Sequence, residues 1–235
     1  PQPSNASEDP STTPSDAPGQ HFALDWGFMR GSSWSDKKDD KLITSIDGMR
    51  CYCIIVDKAT RYTWVILSSS KDPPVDAVRQ VLKKFRSKTP QRTVRLDQDR
   101  ALGKSKEFLE MLQEKDVDFT PTFTGTDSSA QNGLAERPHR TLAEMVRCML
   151  HSADLGPEYW SFALVQAVWI KNRLPHASLN CSPYEAITGE QPDLSRTRIF
   201  GSRIFARDTK KTMKLDSAVS AGRFLGYAGT SKNVH

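Results

Sequence analysis

No apolar run in this chain approaches the roughly 18 residues that a membrane-spanning helix needs, and no signal peptide opens it, so the reading excludes a membrane partner. Cysteine is scarce: Cys51, Cys53, Cys148 and Cys181 form no CxxC pair and no Cys/His cluster, which leaves no zinc-site pattern. Cys51 and Cys53 stand two apart in a strand-like run and so share a face. They read as reduced packing residues of an intracellular protein. No Ser/His/Asp or Cys/His nucleophile set stands out, and no internal repeat appears. The chain also lacks an initiator Met and an obvious stop at His235, so it reads as a piece of something longer.

Basic charge is missing from one end and concentrated at the other. Residues 1–20 hold Glu8, Asp9 and Asp16 and no Lys or Arg. From Leu194 to His235 nine Lys/Arg stand against Asp208 and Asp216, a local charge of +7 within a chain whose net charge is +5. That distribution fits a phosphate-contacting extension, with a merely solvated surface as the competing reading. At 37% hydrophobic and 26% charged residues, the rest is ordinary globular protein, long enough for one good-sized core with extensions.

Three stretches of organisation follow. Residues 1–19 are Pro/Ser/Thr-rich with almost nothing to bury, and are expected to be disordered. Residues 20–180 carry the periodic segments. "HFALDWGFMRG" (21–31) reads as a strand and 32–45 as a polar excursion. "MRCYCIIVDKATRYTWVILSSS" (49–70) reads as a hairpin turning near Lys58–Thr60. Val75, Val78, Val81, Leu82 and Phe85 recur at helical spacing after Pro73–Pro74, and "RTVRLDQD" is a short strand. "SKEFLEMLQEKD" is a helix, "VDFTPT" a strand, and the helix after Gln131 shows Leu142, Met145, Val146, Met149 and Leu150 on one stripe. Residues 157–175 are apolar around most of a helix, as suits a buried element or a partner surface. Residues 181–235 form a basic extension with strand-like pieces "RIFGSRIFAR" and "GRFLGY", read as truncated. An antiparallel start followed by βαβ units predicts an α/β mixed sheet with helices on both faces.

Three acids fall at suggestive places in this order. Asp25 interrupts an apolar strand, Asp97 ends the strand "TVRLD", and Glu136 opens the long helix in "QNGLAERPHR". A carboxylate in an apolar strand is costly unless it is paired or binds a cation. Three carboxylates with open positions are what two hard divalent cations need for phosphoryl transfer. The plain alternatives are a turn residue at a strand end and an acid at a helix N-terminus. Glu136, Arg140, Ala143 and Arg147 share a helix face, which either follows DNA or carries a solvated i,i+4 pair.

"HFALDWGF", "CYCIIVDKATRYTWVILSSSK", "VRLDQDRALGKSKEF", "AQNGLAERPHRTLAEMVRCML", "YWSFALVQAVWIKNRLP", "SPYEAITGEQPDLSRTRIFG" and "GRFLGY" occur in that order. Together they closely resemble the integrase region of copia-type LTR retrotransposon polyproteins, over about residues 21–228. The resemblance implies a ribonuclease-H-like fold, a mixed five-stranded sheet flanked by helices, in a retroviral-integrase type of catalytic core. It implies a metal triad of Asp25, Asp97 and Glu136 holding Mg²⁺ (Mn²⁺ in vitro), and joining of cDNA 3′ ends to target DNA. DNA contacts are expected from Gln131, Asn132, Arg137, Arg140, Arg147, Lys210 and Lys211. A homo-oligomer is implied, acting in the nucleus after a cytoplasmic particle stage. Asp57 matches a family acid outside the triad and reads as a turn residue.

The chain departs from the family pattern after Asp97, where Asp99, Arg100 and Ala101 replace the usual Gly-containing turn and its carboxylate. The His/Cys zinc domain that usually precedes such a core is not in this sequence. Both features keep an alternative open: a catalytically decayed or repurposed DNA-binding and multimerisation module.

Overall fold

The computed structural model describes residues 16–33, 36–85, 91–97, 101–124, 133–195, 197–207 and 219–227. Its central sheet has five strands: β1 (His21–Gly27), β4 (Cys51–Asp57), β5 (Thr63–Ser68), β6 (Thr93–Asp97) and β7 (Thr120–Thr124). Their order across the sheet is β5-β4-β1-β6-β7. The hairpin β4–β5 and the pair β1–β4 are antiparallel, whereas β6 lies parallel to β1 and β7 parallel to β6. This is the α/β mixed five-stranded sheet that the sequence predicts.

Strand alternation divides the core between the two faces. Phe22, Leu24, Trp26, Cys51, Cys53, Ile55, Val94 and Leu96 point to one face. There they meet Val78, Val81 and Leu82 of α1 (Val75–Lys83) and Phe108, Met111 and Leu112 of α3 (Lys106–Leu112). Tyr52, Ile54 and Val56 point to the other face, against Leu142, Val146 and Leu150 of α4 (Gly133–Ser152). Trp160, Leu164 and Val168 of α5 (Trp160–Arg173) complete that layer. All seven residues of β4 are buried because both of its faces are covered. Each large apolar side chain so buried contributes about 1.5–3 kcal/mol.

Several elements differ from the sequence reading. The strand expected over 21–31 ends at Gly27, and the polar excursion folds as a hairpin of β2 (Arg30–Ser33) and β3 (Asp36–Leu42). Its base is tied down by the Ile43 N–H donating to the Met29 carbonyl (2.9 Å) and by Trp160 Nε1 donating to the Ile43 carbonyl (2.9 Å). A four-residue helix, α2 (Ala101–Lys104), follows the turn after Asp97. Pro183–Thr188 is a helix, α6, where only strand-like pieces were expected; Ser182 Oγ accepts from the Glu185 N–H (3.1 Å) and Gly189 ends it at φ 76°. The extension then forms the hairpin β8 (Arg203–Arg207) and β9 (Val219–Arg223), and Phe200 is buried in the α4–α5 layer. Residues 16–19, grouped by composition with the disordered segment, are attached to the core. Asp16 pairs with Lys58 (2.8 Å), and the Gly19 N–H donates to Asp57 Oδ1 (3.1 Å).

Candidate active site

The parallel register of β1 and β6 pairs His21 with Thr93, Phe22 with Val94 and Ala23 with Arg95. The paired residues end there; carried on by two residues, the same register sets Asp25 level with Asp97. Leu24 and Leu96 point into the α1–α3 layer, so alternation turns both aspartates to the opposite face, the one that α4 covers. Sequence spacing alone offered these acids; the parallel pairing is what makes them neighbours.

Asp25 is mostly buried, its side chain 15% exposed. Its Oδ1 accepts the Trp26 N–H at 2.8 Å. Its Oδ2 faces His139 Nε2 at 3.4 Å. That approach is electrostatic rather than a formed hydrogen bond, since the buried Nε2 finds no partner in bonding geometry. His139 Nδ1 lies 3.1 Å from the Tyr52 hydroxyl. Burial first, and then the Asp25 charge, push the Tyr52 hydroxyl and the Cys53 thiol well above their ordinary values, so both stay protonated.

Glu136 lies in the first turn of α4, exposed, one turn before His139 and on the same side of the helix. The three acids are not brought together: among the described residues, no three His, Cys, Asp or Glu side chains are grouped so as to hold a metal ion. Asp25 and Asp97 share a face, and Glu136 stays out in solvent. Pro138, inside the same helix, lacks the N–H that would bond back to Leu134.

The other expected residues divide. Arg137, Arg140 and Arg147 are exposed on α4. Arg140 Nε donates to Glu144 Oε1 (3.1 Å), so its i,i+4 partner is the following acid rather than Glu136. Gln131, Asn132, Asp99, Arg100, Lys210 and Lys211 lie outside the described residues. Asp57 is fully buried at the β4–β5 turn, where Oδ2 accepts from the Thr60 N–H (3.0 Å) and hydroxyl (2.6 Å). Neither His139 nor Tyr52 stands out from the sequence. The available signals were His139 one helical turn from Glu136, and Tyr52 alternating with Ile54 on the Asp25 side of β4.

No family model matches the chain. It is 32% identical over 202 residues, 83% of its length, to the retrovirus-related Pol polyprotein from transposon TNT 1-94 of Nicotiana tabacum. It is 30% identical over 192 residues, 80% of its length, to that from transposon RE2 of Arabidopsis thaliana. The chain spans 15% and 13% of those two polyproteins. In structure it is similar to a chain of the simian T-cell lymphotropic virus intasome in complex with PP2A regulatory subunit B56 gamma. That match covers 88% of this chain and 68% of the other, at 14% identity and a TM-score of 0.55, a likeness of fold. From the alignment over four fifths of its length, the chain belongs with the Pol polyproteins of copia-type retrotransposons, of which it spans a small part, and its fold is like that of the intasome chain.

Proposed function

We propose that the chain is a divalent-metal-dependent polynucleotidyl transferase that joins element cDNA 3′ ends to target DNA. The observation that carries this is the parallel register of β1 and β6, which carried on sets Asp25 level with Asp97 on adjacent strands, with His139 of α4 facing Asp25. Carboxylate oxygens suit Mg²⁺, or Mn²⁺ in vitro, and the residues to hold it are Asp25, Asp97 and Glu136. Such ions, when bound, supply activation of a 3′-hydroxyl or water and charge relief at the leaving oxygen. Asp25 and Asp97 would hold the ion from the sheet, and Glu136, exposed on the first turn of α4, would have to approach them to complete the set. The first-turn N–H groups of α4 and the helix's positive end favour a DNA phosphate there. Arg137, Arg140 and Arg147, exposed along the same helix, follow the backbone, with Gln131, Asn132, Lys210 and Lys211 as further contacts. A homo-oligomer, and action in the nucleus after a cytoplasmic particle stage, belong to the same proposal.

A second reading, a module that holds DNA without cutting it, is favoured by one observation: the three acids are not gathered. A Mn²⁺-dependent disintegration assay of the chain beside its Asp97→Asn variant separates the two. Activity in the parent and none in the variant is the expected result. Equal activity in both would point to a contaminating nuclease and remove the triad. Salt-sensitive DNA binding with no strand transfer in either protein would establish the second reading.

A further inference from the structure

Tyr52, His139 and Asp25 form one continuous contact chain between the sheet and α4. Tyr52 is 2% exposed, and its ring lies across β1 at Gly27, its register partner. A Cβ on Gly27 would stand 2.2 Å from Tyr52 Cζ and 2.5 Å from its hydroxyl oxygen, so only glycine there leaves the ring in place. From that position the Tyr52 hydroxyl reaches His139 Nδ1 (3.1 Å), and the two rings stand with centroids 5.4 Å apart. The opposite ring nitrogen, Nε2, is buried, lacks a formed hydrogen bond, and has Asp25 Oδ2 at 3.4 Å.

The tautomer follows from these partners. A protonated phenol donates to a bare Nδ1, which leaves the proton on Nε2, and an N–H there meets a carboxylate rather than setting a lone pair against it. At 3.4 Å but out of bonding geometry, an N–H there faces a carboxylate with which it forms a charge-assisted bond once the two are aligned.

We infer that His139, held by Tyr52, is a positioning residue that orients the Asp25 carboxylate for its cation through an Nε2–H···Oδ2 bond. The inference rests on the reading of Asp25 as a metal ligand. Acting through Asp25 and touching neither cation nor substrate, His139 fixes the plane in which the carboxylate is held. It also couples the second turn of α4 to the sheet, because it stands on the helix that carries Glu136. Partners of this kind, behind a metal ligand, change metal affinity about 10–100-fold when removed.

The test is Mn²⁺ binding to the whole chain, followed by electron paramagnetic resonance without DNA, for the parent, Asp25→Asn, His139→Ala, His139→Gln and Tyr52→Phe. The expected order has Asp25→Asn weakest. His139→Ala should bind about 10-fold more weakly than the parent, with Tyr52→Phe between those two. His139→Gln should recover most of the affinity, because its carboxamide N–H replaces Nε2–H. Nitrogen NMR of the metal-free parent should show the Nε2–H form of the His139 ring. Should His139→Ala fold poorly, Tyr52→Phe, which removes a single oxygen, carries the comparison. Normal affinity in a folded His139→Ala, with Asp25→Asn impaired, would overturn the inference and leave the metal reading standing. Normal affinity in Asp25→Asn as well would remove the metal reading itself. Direct coupling of a ring nitrogen to Mn²⁺ would make His139 a ligand and also overturn the positioning role.

Discussion

Lys171, near the end of α5, has its ammonium among neutral oxygens: it donates to the Arg61 carbonyl (3.3 Å) and to Thr63 Oγ1 (3.0 Å). Burial, and then the nearby Arg61 charge, push its pKa down to about 8. An unfolded lysine titrates near 10.4, so between about pH 8 and 10.4 the unfolded chain binds more protons than the folded one. Stability must therefore rise with pH across that window, and below pH 8 the fold carries the full cost of the buried charge, on the order of 1–3 kcal/mol. Lys171→Met should abolish that rise. Urea midpoints at pH 7.5 and pH 10 check it: the parent gains at the higher pH relative to the variant, and parallel changes in both would show that Lys171 is not the source. Asp57 offers a contrast at the other side of the same turn. Burial pushes its carboxyl up where it pushes Lys171 down, but hydrogen bonds from Thr60 and Gly19 offset part of that cost.

At the scale of elements, what a periodicity can express was legible and what a distant partner decides was not. Phe22, Leu24 and Trp26 alternating with Ala23 and Asp25 gave β1, and the same alternation turned Asp25 and Asp97 to one face. α6 has six residues, too few for a helical period, although its Ser182 cap and Gly189 stop are plain once looked for. His139 escaped because its partner Tyr52 is 87 residues away, and no spacing rule reaches that far. Asn172 escaped for the same reason: its amide accepts from the Thr63 N–H (2.9 Å) and donates to the Thr63 carbonyl (2.7 Å), fastening α5 to edge strand β5. Pro138 leaves the turn that carries Glu136 with one backbone bond fewer, since it has no N–H to bond back to Leu134. Pro138→Ala restores that donor, and hydrogen exchange should slow about 10-fold or more at the amides of the first two turns, residues 134–140. Unchanged exchange there would mean that the missing bond does not set the mobility of the turn.

Across the whole molecule, the acids of the proposed site and the basic charge occupy different parts of the chain. Asp25 and Asp97 lie on the central sheet, whereas the stretch from Leu194 to His235 carries +7. Its hairpin, β8–β9, is exposed along both strands and presents Arg203, Arg207 and Arg223 outside the core. Under the proposed function this distribution divides the labour: the extension would supply affinity for any phosphate backbone, and the sheet and α4 the chemistry. Each phosphate neutralised on duplex DNA releases about 0.9 counterion, so affinity falls with salt in proportion to the number of contacts. Replacing Lys210 and Lys211 together by glutamine should lower the slope of log affinity against log salt by about 2. The loss should be equal on element ends and on unrelated duplexes, because phosphate contacts carry no sequence information. Mn²⁺ affinity at Asp25 should stay as in the parent. Fluorescence anisotropy over a salt series measures the slope. An unchanged slope would remove both lysines from the interface, and a loss confined to element ends would show that they read sequence rather than charge.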